Sequence, residues 1–398
     1  MTPSTTRRLV LIGVLGALLV GAVAAALVFV GLPWGHPRVT ALATAWNHTL
    51  VLDEDGQVSG TGTNTSGQLT GHDDPRRGLE RLSGLPAEVR AVAVSAGWAH
   101  SLVLGDDGVV YGAGKNGSGE LTGQGGRPTL TPLAGLPDGV RATAVAAGDK
   151  FSLVLGDDGV AYGAGRNDWG QLTGRTDTVR TLTPLAGLPE GVRAVEVAAG
   201  GGHSLVLGDD GRLYGSGSND FGQLTGRGGF RFSLAPLAGL PAGVGAVHIA
   251  TGCGQSLAIG DDGVAYGTGS NLVGQLTGEN REVHRLAPLT GLPDGVRAAG
   301  LSGGCGDVLV LGDDGVPYGA GANDFGQLTG ADPRATLAPL TGLPGDVLAT
   351  QVLCGYSTED GPYSLVLGDD GHAYATGSNR FGQYGDVGAR HRTLVRFD

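Results

Sequence analysis

Residues 111–123 read YGAGKNGSGELTG. Gly112, Gly114 and Gly117 fall in a GxGxxG spacing around a lone lysine, Lys115. A glycine-rich loop of that kind can cradle a phosphate where it leaves a strand and opens a helix whose amides face the anion. Here the segment recurs instead. Residues 162–174 read YGAGRNDWGQLTG, 214–226 YGSGSNDFGQLTG, 266–278 YGTGSNLVGQLTG and 318–330 YGAGANDFGQLTG. Degenerate copies stand at 59–71, SGTGTNTSGQLTG, and 374–386, YATGSNRFGQYGD. A DDG-type turn precedes each copy and ends at Gly56, Gly108, Gly159, Gly211, Gly263, Gly315 and Gly371, with spacings of 52, 51, 52, 52, 52 and 56 residues. No helical pattern follows any copy, and the lysine position elsewhere holds Thr63, Arg166, Ser218, Ser270, Ala322 and Ser378. The glycines read as structural, and no nucleotide or other cofactor is expected.

One unit, residues 86–137, predicts what the repeat builds. VRAVAVSAG alternates as a strand, A, and SLVLG follows a short turn as strand B. DDG then turns the chain into VVYGAG, strand C, because glycine accepts the positive φ of a tight hairpin. TLTPLAGLP supplies an outer strand D, whose Pro132 and Pro137 suit an edge that owes no N–H to a further ladder. Four antiparallel strands taken seven times predict an all-β fold, a seven-bladed β-propeller. Its units span about 39–85, 86–137, 138–189, 190–241, 242–293, 294–344 and 345–398.

The polar repeats have structural readings. An asparagine at the C–D turn of every copy, Asn64 and Asn116 among them, can bond nearby backbone. His48, His100 and His203 share a position that elsewhere holds Phe151, Gln255 and Asp307, and a position that accepts Phe is not a general base. The DDG aspartates read as turn chemistry, since each turn offers too few ligands in one place for calcium. No metal site and no catalytic constellation are expected.

The chain has 398 residues, 77 of them glycine, and such glycine usage without a collagen period points to many tight turns. Its net charge of −12 argues against nucleic acid as a partner. Residues 9–32, LVLIGVLGALLVGAVAAALVFVGL, are apolar, uncharged and long enough to span a bilayer. Arg7 and Arg8 precede them, which predicts a cytoplasmic tail at 1–8 and an uncleaved single-pass anchor, with a cleaved secretion signal as the alternative. Residues 33–38 form a short tether, with Trp34 suited to the bilayer interface. Cys253, Cys305 and Cys354 are too few for a disulfide framework. Cys253 and Cys305 each stand ten residues before a DDG glycine. The expectation for them is two buried small residues, with pairing near the propeller axis as the alternative.

The units AGWAHSLVLGDDGVVYGAGKNGSGELTG and AGGGHSLVLGDDGRLYGSGSNDFGQLTG resemble regulator-of-chromosome-condensation repeats, which join an AGxxH start to a DG turn and a GxNxxGQLG end. The resemblance covers about residues 39–398, with an added Thr in GQLTG as a departure. It implies a propeller that serves as a binding platform. The family's eukaryotic founder is a guanine-nucleotide exchange factor for a small GTPase, and another member is a secreted inhibitor that binds β-lactamases; both roles enter as alternatives. The first requires a cytoplasmic propeller, which the apolar run argues against.

Alternating strands segregate the loops. B–C turns and D–A links collect more than half of the chain's 38 acidic residues on one face, expected to look toward the membrane. A–B turns and C–D loops carry the variable segments on the other, where recognition normally sits. There, Trp46, Trp98 and Tyr356 are expected to form one arc at equivalent A–B positions of blades 1, 2 and 7, with Tyr363 beside it. Phe230, Arg231 and Phe232 of RGGFRF extend it in blade 4. Large aromatics anchor protein interfaces at low entropic cost, so these residues are the candidate protein-binding site, with rings that plug the channel mouth as the alternative. The expected function is a membrane-anchored, extracytoplasmic, non-catalytic module that binds an unidentified protein.

Overall fold

In a computed structural model, residues 37–71, 76–356, 361–385, 388 and 390–398 are described. They form seven four-stranded antiparallel sheets, each made of four consecutive strands in the order A-B-C-D. This is the seven-bladed propeller that the repeat predicts. No described helix is long and apolar enough to cross a membrane, and the apolar run 9–32 and Trp34 lie outside the described residues.

Blade 2 shows how the sequence sets the strands. Strand A is Ala91–Ala96, B is His100–Gly105, C is Val110–Gly114 and D is Arg127–Pro132. Strand B is buried throughout, because it lies inside the sheet with neighbouring blades on both faces, and its residues 102–104, LVL, are accordingly apolar without alternation. Strand D ends earlier than its sequence implies. Pro137 falls in the D–A link, since Leu133 makes the last bond, to the Val110 carbonyl, and Gly135 turns the chain at φ +115°. The link is still used: Ala134 accepts the Leu182 amide of the next blade's outer strand. Ser83, Ala186, Ala238, Thr290 and Thr341 do the same for Leu130, Leu234, Leu286, Leu337 and Leu394.

The apolar core lies between blades. Leu102, Leu104 and Leu121 of blade 2 pack with Val154, Tyr162 and Leu182 of blade 3. Blades 1 and 7 meet in the same way, with Val39, Leu42 and Val51 against Leu365, Leu367 and Tyr384. Ring closure therefore uses no exchanged strand. It rests on this cluster, on Gln351, which accepts the Leu42 amide and donates to the Leu42 carbonyl, and on the Arg38 guanidinium, which donates to the Asp369 carbonyl.

On the acidic face each aspartate of DDG has a task. In blade 2, Asp106 accepts the Arg90 amide just before strand A. Asp107 accepts the Val109 amide and the Tyr111 hydroxyl, at 3.0 and 2.7 Å. The Tyr–Asp pair recurs in blades 3 to 7. Burial, then the Asp262 and Asp314 hydrogen bonds, push the Tyr266 and Tyr318 hydroxyls up to about 12. Arginines bolt the blades: Arg90, Arg141, Arg193 and Arg297 each donate to the carbonyl of the first acid of the preceding DDG-type turn. The bolt is missing where Gly245 and Leu348 take the arginine's place.

The Thr inserted in GQLTG has a local cause. Thr70, Thr122, Thr225 and Thr329 hold φ between 60° and 63°, a left-handed conformation unusual for a branched residue. Each offers its carbonyl to the repeat asparagine, Asn64, Asn116, Asn219 and Asn323, at 2.9–3.2 Å. The same asparagines accept a leucine amide at 2.7–2.8 Å, so both ends of each side chain are engaged.

Two outcomes follow for stability. Gly315 holds φ +76°, and an added Cβ would lie 2.8 Å from the Leu348 Cβ, whereas Gly295 at φ +86° faces open space. Gly295→Ala should cost about 1 kcal/mol from backbone strain alone, and Gly315→Ala clearly more, in urea unfolding. Gly245→Arg restores a bolt aimed at the Asp209 carbonyl and should raise stability by up to about 1 kcal/mol. Equal losses at the two glycines, or a destabilised Gly245→Arg, would contradict these assignments.

Candidate protein-binding face

The A–B turns converge on the axis and surround a cavity of about 250 Å³. Small residues line most of it, among them Gly148, Ala199, Gly252 and Gly304. Trp46 and Tyr356 stand at its wall and meet edge to face across the blade 1–7 seam, centroids 5.3 Å apart. The Tyr356 amide donates to the Ala45 carbonyl at 2.6 Å and fixes the pair. Cys253 and Cys305 line the same cavity and are joined as a disulfide, with Cα atoms 4.7 Å apart. The expectation of two separate buried residues is overturned, because equivalent A–B positions of adjacent blades approach this closely at the axis. Cys354 is free and buried, and burial with Asp307 nearby raises its thiol well above the ordinary value, which makes it inert.

The predicted arc is only partly continuous. Trp98 is half-buried one blade away and does not line the cavity. The Lys115 and Lys150 ammonium groups lie over its ring, 4.2 and 4.6 Å from the centroid. Phe230 and Phe232 are 46% and 45% exposed and pair at 6.5 Å, but they sit on the outermost strand of blade 4, across the ring and at its rim. Arg231 between them is committed, donating to the Thr225 carbonyl at 2.9 Å as Arg127 and Arg334 do at Thr122 and Thr329. Tyr363 is a correction. It is fully buried, in the position of the repeat histidine, and its hydroxyl meets Thr44 of blade 1, so it closes the ring and presents nothing to a partner.

Residues of the C–D loops, not singled out from the sequence, complete the face. Trp169 covers Gly202 of the next blade, where a Cβ would lie 2.5 Å from the ring. Phe221 likewise covers Gly254, and Phe325 covers Gly361. Cations cap some of these rings: Arg166 lies 4.1 Å from the Trp169 centroid and Arg390 4.5 Å from that of Phe325. Phe221 is 39% exposed. The signal was present in NDWGQ, NDFGQ, NDFGQ and NRFGQ, where an aromatic recurs before GQ.

The candidate acid–base groups are spent on packing. His48, His100 and His203 are buried and reach Ser101, Ser152 and Ser256 of the next blade at 3.0–3.2 Å. Burial lowers them to about 4, 3 and 4, with His48 adding to the effect at His100. In blade 6 the position holds Asp307, whose carboxylate oxygens have no well-placed hydrogen-bond partner among the described residues. Burial pushes it up to about 7, offset only in part by the Gly306 and Asp307 amides. Glu196 accepts His248 at 2.7 Å inside the channel, and its hydrogen bond and charge raise the imidazole against the opposing effect of burial. No cluster of three metal-ligating side chains occurs among the described residues.

The repeat description "Regulator of chromosome condensation (RCC1) repeat" matches residues 39–68, 91–120, 158–207 and 194–223. The chain carries RCC1 repeats and forms a seven-bladed propeller. It is 29% identical over 355 residues to the ultraviolet-B receptor UVR8 of Arabidopsis thaliana, covering 87% of this chain and 79% of that protein. It is 28% identical over 356 residues to the RCC2 homologue of Danio rerio, covering 80% and 68%. The human probable E3 ubiquitin-protein ligase HERC6 is 32% identical over 257 residues, but the chain spans only 24% of its length. Among solved structures, human WBSCR16 superposes with a TM-score of 0.73 at 21% identity, over 86% of this chain and 94% of that one. Yeast RCC1 (Prp20), in its complex with Kap60, gives 0.73 at 19%, over 91% and 85%. At such identity these two establish the shared fold of the RCC1-repeat chain and no more.

The buried groups predict opposite pH responses. Each histidine titrates near 6.5 when unfolded and near 4 or below when folded. Its neutral form thus contributes stability above pH 6.5 that is lost as pH falls toward 4, a few kcal/mol apiece at most. Asp307 has the reverse sign: its protonated form favours the fold below about pH 4, and that contribution is lost as pH rises through 7. Urea titrations should find Asp307→Asn more stable than the parent at pH 8 but not at pH 4. His203→Phe, which copies blade 3, should lose less stability between pH 6.5 and 4 than the parent.

Proposed function

We propose that this RCC1-repeat propeller is a membrane-anchored, extracytoplasmic module that binds a protein through the face carrying the A–B turns and C–D loops, without chemistry of its own. The observation that carries the reading is the gathering of large aromatics on that face at positions that other blades fill with smaller residues. Trp46 with Tyr356, and Trp98, occupy A–B turns, while Trp169 and Phe221 occupy C–D loops. Rigid aromatic side chains held by packing supply contact area at little entropic cost. Phe230 and Phe232 extend the apolar surface to the rim of blade 4.

The placement outside the cytoplasm is supported by the uncharged run 9–32 behind Arg7 and Arg8. It is supported too by the Cys253–Cys305 disulfide, since such bonds persist in oxidising compartments. The same features disfavour nucleotide exchange on a cytoplasmic GTPase. A member that inhibits an extracellular enzyme would use the same face and is a special case of this reading.

Two measurements test it. Protease added to intact cells should digest the propeller while cytoplasmic proteins stay whole; full protection would reverse the topology. Crosslinked pull-downs from native membranes should lose their specific partners when Trp46→Ala and Trp98→Ala are combined, with the fold checked by circular dichroism. Unchanged capture by a folded double variant would remove this face as the binding site. Unfolding of the variant would assign the two rings to packing.

A further inference from the structure

The chain contains two lysines, Lys115 in the C–D loop of blade 2 and Lys150 in the A–B turn of blade 3, and both stand over the ring of Trp98. Two like charges on one indole repel each other, and the ring alone offsets little of that. Neither ammonium group has a carboxylate within 4 Å or a hydrogen-bond acceptor among the described residues, and both side chains are half-buried. Their neighbour Arg166 differs in this respect, being closed by Asp168 at 2.6 Å. The carboxylates in the vicinity are engaged or withdrawn. Glu120 stands where other blades carry Gln, is 1% exposed, and accepts the Ser118 amide at 2.7 Å. Asp149 lies in the wall of the axial cavity, and burial raises both carboxyls, offset only in part by the charges of Lys115 and Lys150, so their hold on the two ammonium groups is weak.

We infer that Trp98, Lys115 and Lys150 form an anchor for a carboxylate side chain of the partner protein, clamped by the two ammonium groups against the indole. This deepens the proposed function and rests on the binding face assigned there. A carboxylate fits because it accepts from both lysines at once and cancels their repulsion, while the aliphatic part of a glutamate covers the ring. The chain's own surface explains the selectivity. The propeller is acidic overall, so an acidic partner would be repelled elsewhere and drawn to a place where two cations without a salt bridge meet one aromatic ring.

The test uses the full chain in non-ionic detergent, with its lysines labelled with carbon-13 at Cε so that the two side chains give two signals. Hexaglutamate is the probe and inorganic phosphate the competitor chemistry. Both signals should move on one binding curve with hexaglutamate and return in high salt. Lys115→Gln and Lys150→Gln, surface changes that leave the blades intact, should each weaken binding about tenfold or more. Signals that stay still, single variants that bind like the parent, or phosphate that binds more tightly than hexaglutamate would each overturn the anchor. The two readings fail separately. Unmoved lysines with partner capture still dependent on Trp46 and Trp98 would sink the anchor alone. Moving lysines with capture indifferent to both tryptophans would sink the proposed function and, with it, the anchor as a partner site, leaving a carboxylate-binding site alone.

Discussion

One hydrogen bond, made seven times, carries the ring. The glycine that ends each DDG-type turn holds φ between 72° and 79° and gives its carbonyl to the first amide of strand A in the following blade. Ala91, Ala142, Ala194, Ala246, Ala298, Ala349 and Val39 are the donors, at 2.8–3.0 Å. A Cβ at Gly56 would lie 2.7 Å from the Arg90 Cβ, so the turn requires glycine both for its dihedral and for the approach of the next blade. A lone four-stranded sheet has two apolar faces and nothing to cover them. This bond sets the angle at which the neighbour arrives to bury one of them. The Val39–Gly371 bond repeats it where the chain's ends meet, which is why closure needs no shared strand.

Most of the fold was legible because it is periodic. Seven copies of one signal average out the ambiguity of any single strand, and the turn glycines, Pro132 at the sheet edge and the C–D asparagines keep their predicted tasks. The misreadings come from places where local pattern and ring geometry part. Pro137 looked like the end of strand D, but the link it belongs to is held by the adjacent blade. The two cysteines read as separate because cysteine packs readily in cores, yet these equivalent positions, 52 apart in sequence, come close enough at the axis to be joined. Tyr363 looked like part of a variable loop, whereas its register with Gly377 puts it in the buried histidine position.

The site was less legible for the converse reason. A residue that repeats can be assigned by its copies, while a residue that occurs once has only its own chemistry to speak for it. Trp46 and Tyr356 were found by aligning A–B positions, and the structure brings them together. The aromatics before GQ were hidden by their regularity, since a repeated Phe reads as packing, and packing over the next blade's glycine is indeed half of what they do. Lys115 was set aside with the phosphate loop it does not form. Its meaning depends on Lys150, 35 positions later in the chain and in another blade, and no local pattern links them.

The division between scaffold and function follows from these constraints. At the His48 position the propeller tolerates histidine, phenylalanine, glutamine, aspartate and tyrosine, because the seam is held by backbone bonds and by the arginine bolts around it. Asp307 is the extreme case, a buried carboxyl without a good partner that the ring can hold because neighbouring seams are intact. A scaffold with that much reserve leaves its turns free to diverge. The charges that scaffold bonds do not use are therefore the informative ones: most acids of DDG are taken up by amides and tyrosines, whereas the ammonium groups of Lys115 and Lys150 make no hydrogen bond or close ion pair among the described residues and meet Glu120 and Asp149 only by longer-range attraction.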